Sequence, residues 1–157
     1  MTTVNAPDNA NVYEKSTVMN TTLDKMVAFH EDPKALSVLT PPPIFMRVKE
    51  DNRTSMTAGD LKFTLWFAVV PLQWHVEHQA GPTEHSFADM MLSGPMAYWR
   101  HEHIFEPVED GVKLTDRVTI AHKDGIAGLL TRLMFDGIPL RILFFYRHLR
   151  TKWAVEA

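Results

Sequence analysis

Apolar residues recur with period two through the middle of the chain. Ile44, Met46 and Val48 alternate with Phe45, Arg47 and Lys49; beyond a polar turn at residues 51–57, Leu61, Phe63, Leu65 and Phe67 alternate with Lys62, Thr64 and Trp66. This alternation predicts two half-buried strands joined as a hairpin. Pro71 punctuates the run, and further strands are expected over 72–79, 86–92, 96–107 and 112–122. Turn residues separate them at 80–82, 93–95 and 109–111. An earlier strand is expected over 12–19. Asn20, Thr21 and Thr22 then announce a helix carrying Leu23, Met26, Val27 and Phe29. Pro33 opens a second short helix with Ala35, Leu36 and Leu39, which Pro41, Pro42 and Pro43 end.

The period changes to that of a helix near the C-terminus. Over residues 138–153, Ile138, Ile142, Phe145, Tyr146, Leu149 and Trp153 fall on one stripe, with Arg141, Arg147, His148, Arg150 and Lys152 mostly off it. That stripe is the face expected to cover the sheet. Leu140, Leu143 and Phe144 form a shorter second face, expected to meet either residues 129–135 or a second subunit, so a homodimer is one possible assembly. Between the last strand and this helix, residues 127–137 form a glycine-flanked apolar segment that reads equally as a lid or as the start of the helix.

Short strands joined by tight turns pair antiparallel, because parallel neighbours need long crossovers. The expectation is an α+β fold: a curved antiparallel sheet of six to seven strands, two short helices after the first strand, and a long terminal helix packed on the sheet. Residues 1–11 read as a flexible arm and residues 12–157 as a single domain. Composition narrows the function classes. The chain has no cysteine, which excludes disulfides and thiolate chemistry, and its net charge of −3 offers no basic face for nucleic acid. No apolar run reaches the ~20 residues of a membrane span, and the polar N-terminus has no secretion signal. A cytoplasmic location is the resulting expectation.

Alternation also selects candidate chemistry. Leu114, Asp116, Val118, Ile120 and His122 share one face, and Trp99, His101, His103 and Phe105 share one on the preceding strand. A hairpin turning at 109–111 places His103 opposite Asp116, and a hydrogen bond between them is expected. Such a pair can hold a register, bind a ligand's polar end, or work as acid and base, with His103 and Asp116 as the catalytic candidates. Two imidazoles at His101 and His103, with His78 or His122 as a third, also admit a zinc reading. The expectation taken forward has no metal and no cofactor. His30, His75, His85 and His148 read as surface or helix-end residues. The apolar set Phe63, Phe67, Trp74, Met46, Met90 and Met91 is core or pocket lining.

Together, Phe29, His30, Asp32 and Pro33, residues 39–43, Phe87 and Asp89, Gly94 and Pro95, the Trp99-x-His101-x-His103-x-Phe105 run, Thr115 and Asp116, and the late Arg147 resemble the START-like helix-grip superfamily. The likeness runs over about residues 12–153 and is nearest the polyketide cyclase/dehydrase-like, ligand-binding branch. Met91 departs from the pattern, standing where a Gln is expected. The resemblance implies a cavity between sheet and terminal helix for a hydrophobic small molecule: a lipid, a polyketide or an isoprenoid-like compound. Phe63, Phe67, Trp74, Met91, Trp99, His101, His103 and Asp116 are the expected ligand-binding residues, and the alternative is a cyclase or dehydratase using the His–Asp pair.

Overall fold

A computed structural model describes residues 4–157. Part of the expected N-terminal arm, residues 1–3, lies outside the described residues. Residues 4–10 carry no strand or helix, but they are not detached. The Tyr98 hydroxyl reaches the Val4 carbonyl at 3.4 Å, and Ala10 packs on the cluster of Tyr98, Met90 and Ala121, all buried.

Seven strands make one antiparallel sheet: β1 (Asn11–Met19), β2 (Ile44–Asp51), β3 (Asp60–Phe67), β4 (Val70–Ala80), β5 (Ser86–Ser93), β6 (Tyr98–Val108) and β7 (Gly111–Ala121). Their order is β1-β7-β6-β5-β4-β3-β2, a meander closed at one edge by the return of β1. After β1 come α1 (Leu23–Glu31) and α2 (Ala35–Val38), and after β7 come α3 (Gly125–Phe135) and α4 (Gly137–Glu156). Thr22 caps α1 by accepting a hydrogen bond from the Lys25 amide. Pro71 does not end a strand. It lies inside β4 opposite Trp66, and the chain reverses at Ala68, which takes a positive φ of 55°. The β6–β7 turn needs its glycine, because Gly111 has a φ of 139° and a side chain there would strike the Met19 carbonyl.

Helix α4 buries the opposite face from the one its apolar stripe predicts. Leu140, Phe144, His148, Thr151 and Val155 are buried, whereas Ile138, Ile142, Phe145 and Trp153 are each 60% exposed or more. The predicted stripe failed because the true inner face mixes apolar and polar residues. His148 and Thr151 are buried cheaply, since Asp116 and Thr17 bond the first and the Arg147 carbonyl accepts from the second. Leu140, Leu143 and Phe144, expected against residues 129–135 or a second subunit, pack in the main core with Trp74, Trp99, Val118 and Phe135. Among the described residues, no helix is long and apolar enough to cross a membrane.

Candidate functional site

The central strands carry a chain of buried imidazoles and carboxylates. Register puts His103 directly opposite Asp116 on β7, as expected, and Asp89 on β5 directly opposite His101. His78 on β4 is the partner of Asp89 on its other side. Two adjacent rows across four strands therefore hold five titratable groups on the inner face, His78, Asp89 and His101 in one and His103 and Asp116 in the next.

The bonding differs from the expected single pair. Asp116 Oδ1 accepts from His101 Nε2 at 2.6 Å, and Asp116 Oδ2 accepts from His148 Nε2 at 2.7 Å. His103 Nδ1 lies 3.1 Å from Asp116 Oδ1 but out of line for a hydrogen bond; its Nε2 bonds Asp89 Oδ2 at 3.1 Å instead. A diagonal neighbour thus outcompetes the opposite one, which long side chains on a twisted sheet can do. The Thr17 hydroxyl donates to His148 Nδ1 at 2.7 Å, completing the line from Asp116 to β1. His78 Nδ1 donates to the Met56 carbonyl, and its Nε2 stands 2.7 Å from Asp89 Oδ1.

Charge follows from these contacts. Burial alone would raise the Asp116 carboxyl, but His101, His103 and His148 hold it well below the ordinary carboxylate range; His78 and His103 do the same for Asp89. Burial pulls His103 down, and Asp116 and Asp89 more than reverse this, so its value is raised. His101 is lowered to about 4 by burial and by its neighbour His103, and is neutral. Its Nε2 donates to Asp116, so its Nδ1 carries the lone pair. The buried Arg147 guanidinium faces both carboxylates and offsets part of their charge.

His30, expected at the surface or a helix end, lies in the last turn of α1 and is half-buried against Phe87, His103 and Phe105, with its Nδ1 on the Met26 carbonyl. Burial, then His103, lowers it to about 3 from 6.5. The unfolded chain takes up this proton first, so the contribution to stability is complete above pH 6.5 and is lost as pH falls toward 3. His30→Phe is expected to flatten that part of the stability profile; an unchanged dependence of the urea midpoint on pH would show that His30 does not titrate there.

A pocket of about 100 Å³ lies between the sheet and helices α2, α3 and α4. Phe63, Trp74, Trp99 and His101, four of the expected ligand residues, line it. Phe67 and Met91 pack in the same core but off the pocket wall, while His103 and Asp116 stand outside the wall in contact with His101. Asp89, Arg147 and His78, the last weighed only as a third zinc ligand, were not among the expected ligand-binding residues, yet all three line the pocket. Their signals were present in the sequence: Asp89 and Arg147 belong to the family-like motifs, and His78 shares the inner phase of β4 with Trp74 and Val76. Two buried donors in this wall, Trp74 Nε1 and Arg147 Nε, have no hydrogen-bond partner among the described residues.

No protein-family model matches the sequence, and no curated protein matches it. Solved structures do. A START superfamily protein from Mycobacterium smegmatis superposes with a TM-score of 0.67 at 11% identity, over 92% of this chain and 97% of that one. The chain has the START-like helix-grip fold. The Zhui aromatase/cyclase from Streptomyces sp. R1128 gives 0.66 at 13% identity over 94% and 92% of the two chains. A nucleoside-diphosphate sugar epimerase from Corynebacterium glutamicum reaches 23% identity and a TM-score of 0.62; the match covers 90% of this chain but 28% of that protein. At these identities the likeness establishes the helix-grip architecture, and function rests on the pocket itself.

Proposed function

We propose that this helix-grip domain binds a compact apolar molecule bearing an acceptor oxygen, with the oxygen on an unpartnered donor of the pocket wall, Arg147 Nε first and Trp74 Nε1 as the other candidate. The carrying observation is the pair of unpartnered donors, Trp74 Nε1 and Arg147 Nε, in a wall otherwise built from Leu61, Phe63, Trp99 and Phe144. A buried donor left unpaired costs about 1–3 kcal/mol, and a ligand carbonyl or hydroxyl oxygen would recover that. The volume sets the size. At about 100 Å³ the space is below the roughly 150 Å³ of an engineered cavity that admits benzene. Any ligand of benzene size or larger, from a simple aryl ketone to a lipid, polyketide or isoprenoid, enters as the wall moves, and Phe135 on α3 is the wall nearest a chain segment with glycines at 125 and 137.

Titration with acetophenone against ethylbenzene, followed by tryptophan fluorescence and calorimetry, tests this reading. The ketone should bind more tightly. Arg147→Met should weaken it about tenfold or more, the worth of a hydrogen bond from a charged donor, and should leave ethylbenzene unaffected. Equal affinity for both compounds, or no effect of the substitution, would refute the assignment. Native mass spectrometry of freshly purified protein then identifies the natural occupant.

Acid/base chemistry is the second reading, favoured by one observation: a neutral imidazole at His101 faces the pocket with Asp116 bonded behind it. The group facing the ligand is then His101, with His103 and Asp116 as its positioning partners. Conversion of the extracted occupant by the wild type but not by His101→Gln would support an enzyme of cyclase or dehydratase type.

A further inference from the structure

We propose that Asp89, His101 and His103 bind a divalent transition-metal ion of the zinc or ferrous type at the polar end of the pocket. One ligand atom from each lies within 4.8 Å of the others. The His103 Nε2 to Asp89 Oδ2 separation of 3.1 Å is close to the ~3.3 Å between two ligands of a tetrahedral ion with bonds of about 2.0 Å. Two imidazoles and one carboxylate, leaving further positions open, are a recurrent donor set for such ions.

The groups behind the three ligands strengthen the assignment. Metal-bound histidines characteristically donate their other ring N–H to a carboxylate, which fixes the tautomer and aims the lone pair. Asp116 occupies that position for His101, accepting from its Nε2 at 2.6 Å; His103 Nδ1 stands 3.1 Å from the same oxygen without bonding it, and a small turn of the ring would bring it into line. His101 Nδ1 offers its lone pair to the metal, and His103 Nε2 and Asp89 would exchange the hydrogen bond between them for the ion, with release of the Nε2 proton. His78 Nε2 stands 2.7 Å from Asp89 Oδ1, an oxygen that has no hydrogen-bond partner among the described residues. The supporting layer extends through His148 to Thr17. A His–Asp pair serving only to hold a register needs none of this convergence. The adjacent Arg147 guanidinium repels a cation, and the second carboxylate, Asp116, offsets it.

Asp89 and His101 both line the pocket, so an open coordination position faces the bound molecule. An acceptor oxygen there can complete the metal's coordination and be polarised by it. Only this last step rests on the proposed pocket function; metal uptake itself does not.

The test uses untagged full-length protein, dialysed against chelator and titrated with Co²⁺ and then Zn²⁺, without organic probe. Uptake of one Co²⁺ per chain, with visible ligand-field bands displaced by Zn²⁺, is expected. Asp89→Ala should abolish the bands, and His78→Gln should weaken uptake about tenfold or more, as loss of a supporting contact does. His122→Ala, at a histidine bonded to Thr131 outside the site, should change nothing. Circular dichroism reports whether each variant folds. Absence of stoichiometric uptake by the wild type overturns the proposal, as does uptake that survives Asp89→Ala in a folded protein. Acetophenone binding is measured separately on the chelated protein, so a failure of either idea is read independently.

Discussion

Replacing Asp116 by alanine is expected to cost about 3–5 kcal/mol of stability, the penalty for removing one side of a buried charge network. The carboxylate is 3% exposed, bonds two imidazoles and stands beside a third. Without it His103 keeps only Asp89, the Arg147 guanidinium loses one of its two compensating charges, and the N–H groups of His101 and His148 lose their acceptor. The helix loses its polar tie to the sheet as well, because His148 joins α4 to β7. A urea unfolding curve gives the answer directly. A loss below about 1 kcal/mol would mean that the network is solvated or dispensable, and the electrostatic account of the site would fail.

A paired substitution on α4 has the second large effect. Phe144→Ala is expected to cost about 3–5 kcal/mol, because its ring is 1% exposed and packs against Tyr13 and His101 in the main core. Phe145→Ala should change stability by no more than about 0.5 kcal/mol, since its ring is 61% exposed. Neighbours in sequence, the two residues differ only in which side of the helix they occupy. If Phe145→Ala proved the costlier change, α4 would be rotated from the orientation described here.

Strand order and inner faces were legible because each signal is local. Alternation in β6 and β7, with a turn at Gly111, leaves only one register that buries Trp99, His101, His103 and Phe105 beside Leu114, Asp116 and Val118. The two short helices after β1 and the long helix at the end followed from equally local caps, prolines and periodicity. Four residues of the pocket wall came the same way: Phe63, Trp74, Trp99 and His101.

The rest depended on partners far away in sequence. Which imidazole bonds Asp116 is decided by sheet twist and by α4, 32 residues further on, and alternation carries neither. His148 and Thr151 look like surface residues until Asp116, Thr17 and the preceding helical turn supply their bonds. Meanwhile Ile138, Ile142, Phe145 and Trp153 look like a core stripe until the sheet takes the other face. By itself, then, the sequence determined the elements, their antiparallel order and which strand residues point inward, because those follow from steric period and turn chemistry. Only the tertiary structure decided the rotation of α4, the route of the His–Asp bonds and the entry of Asp89, His78 and Arg147 into the pocket. Those depend on which buried polar groups find partners, and a partner exists only once distant strands and the final helix are in place.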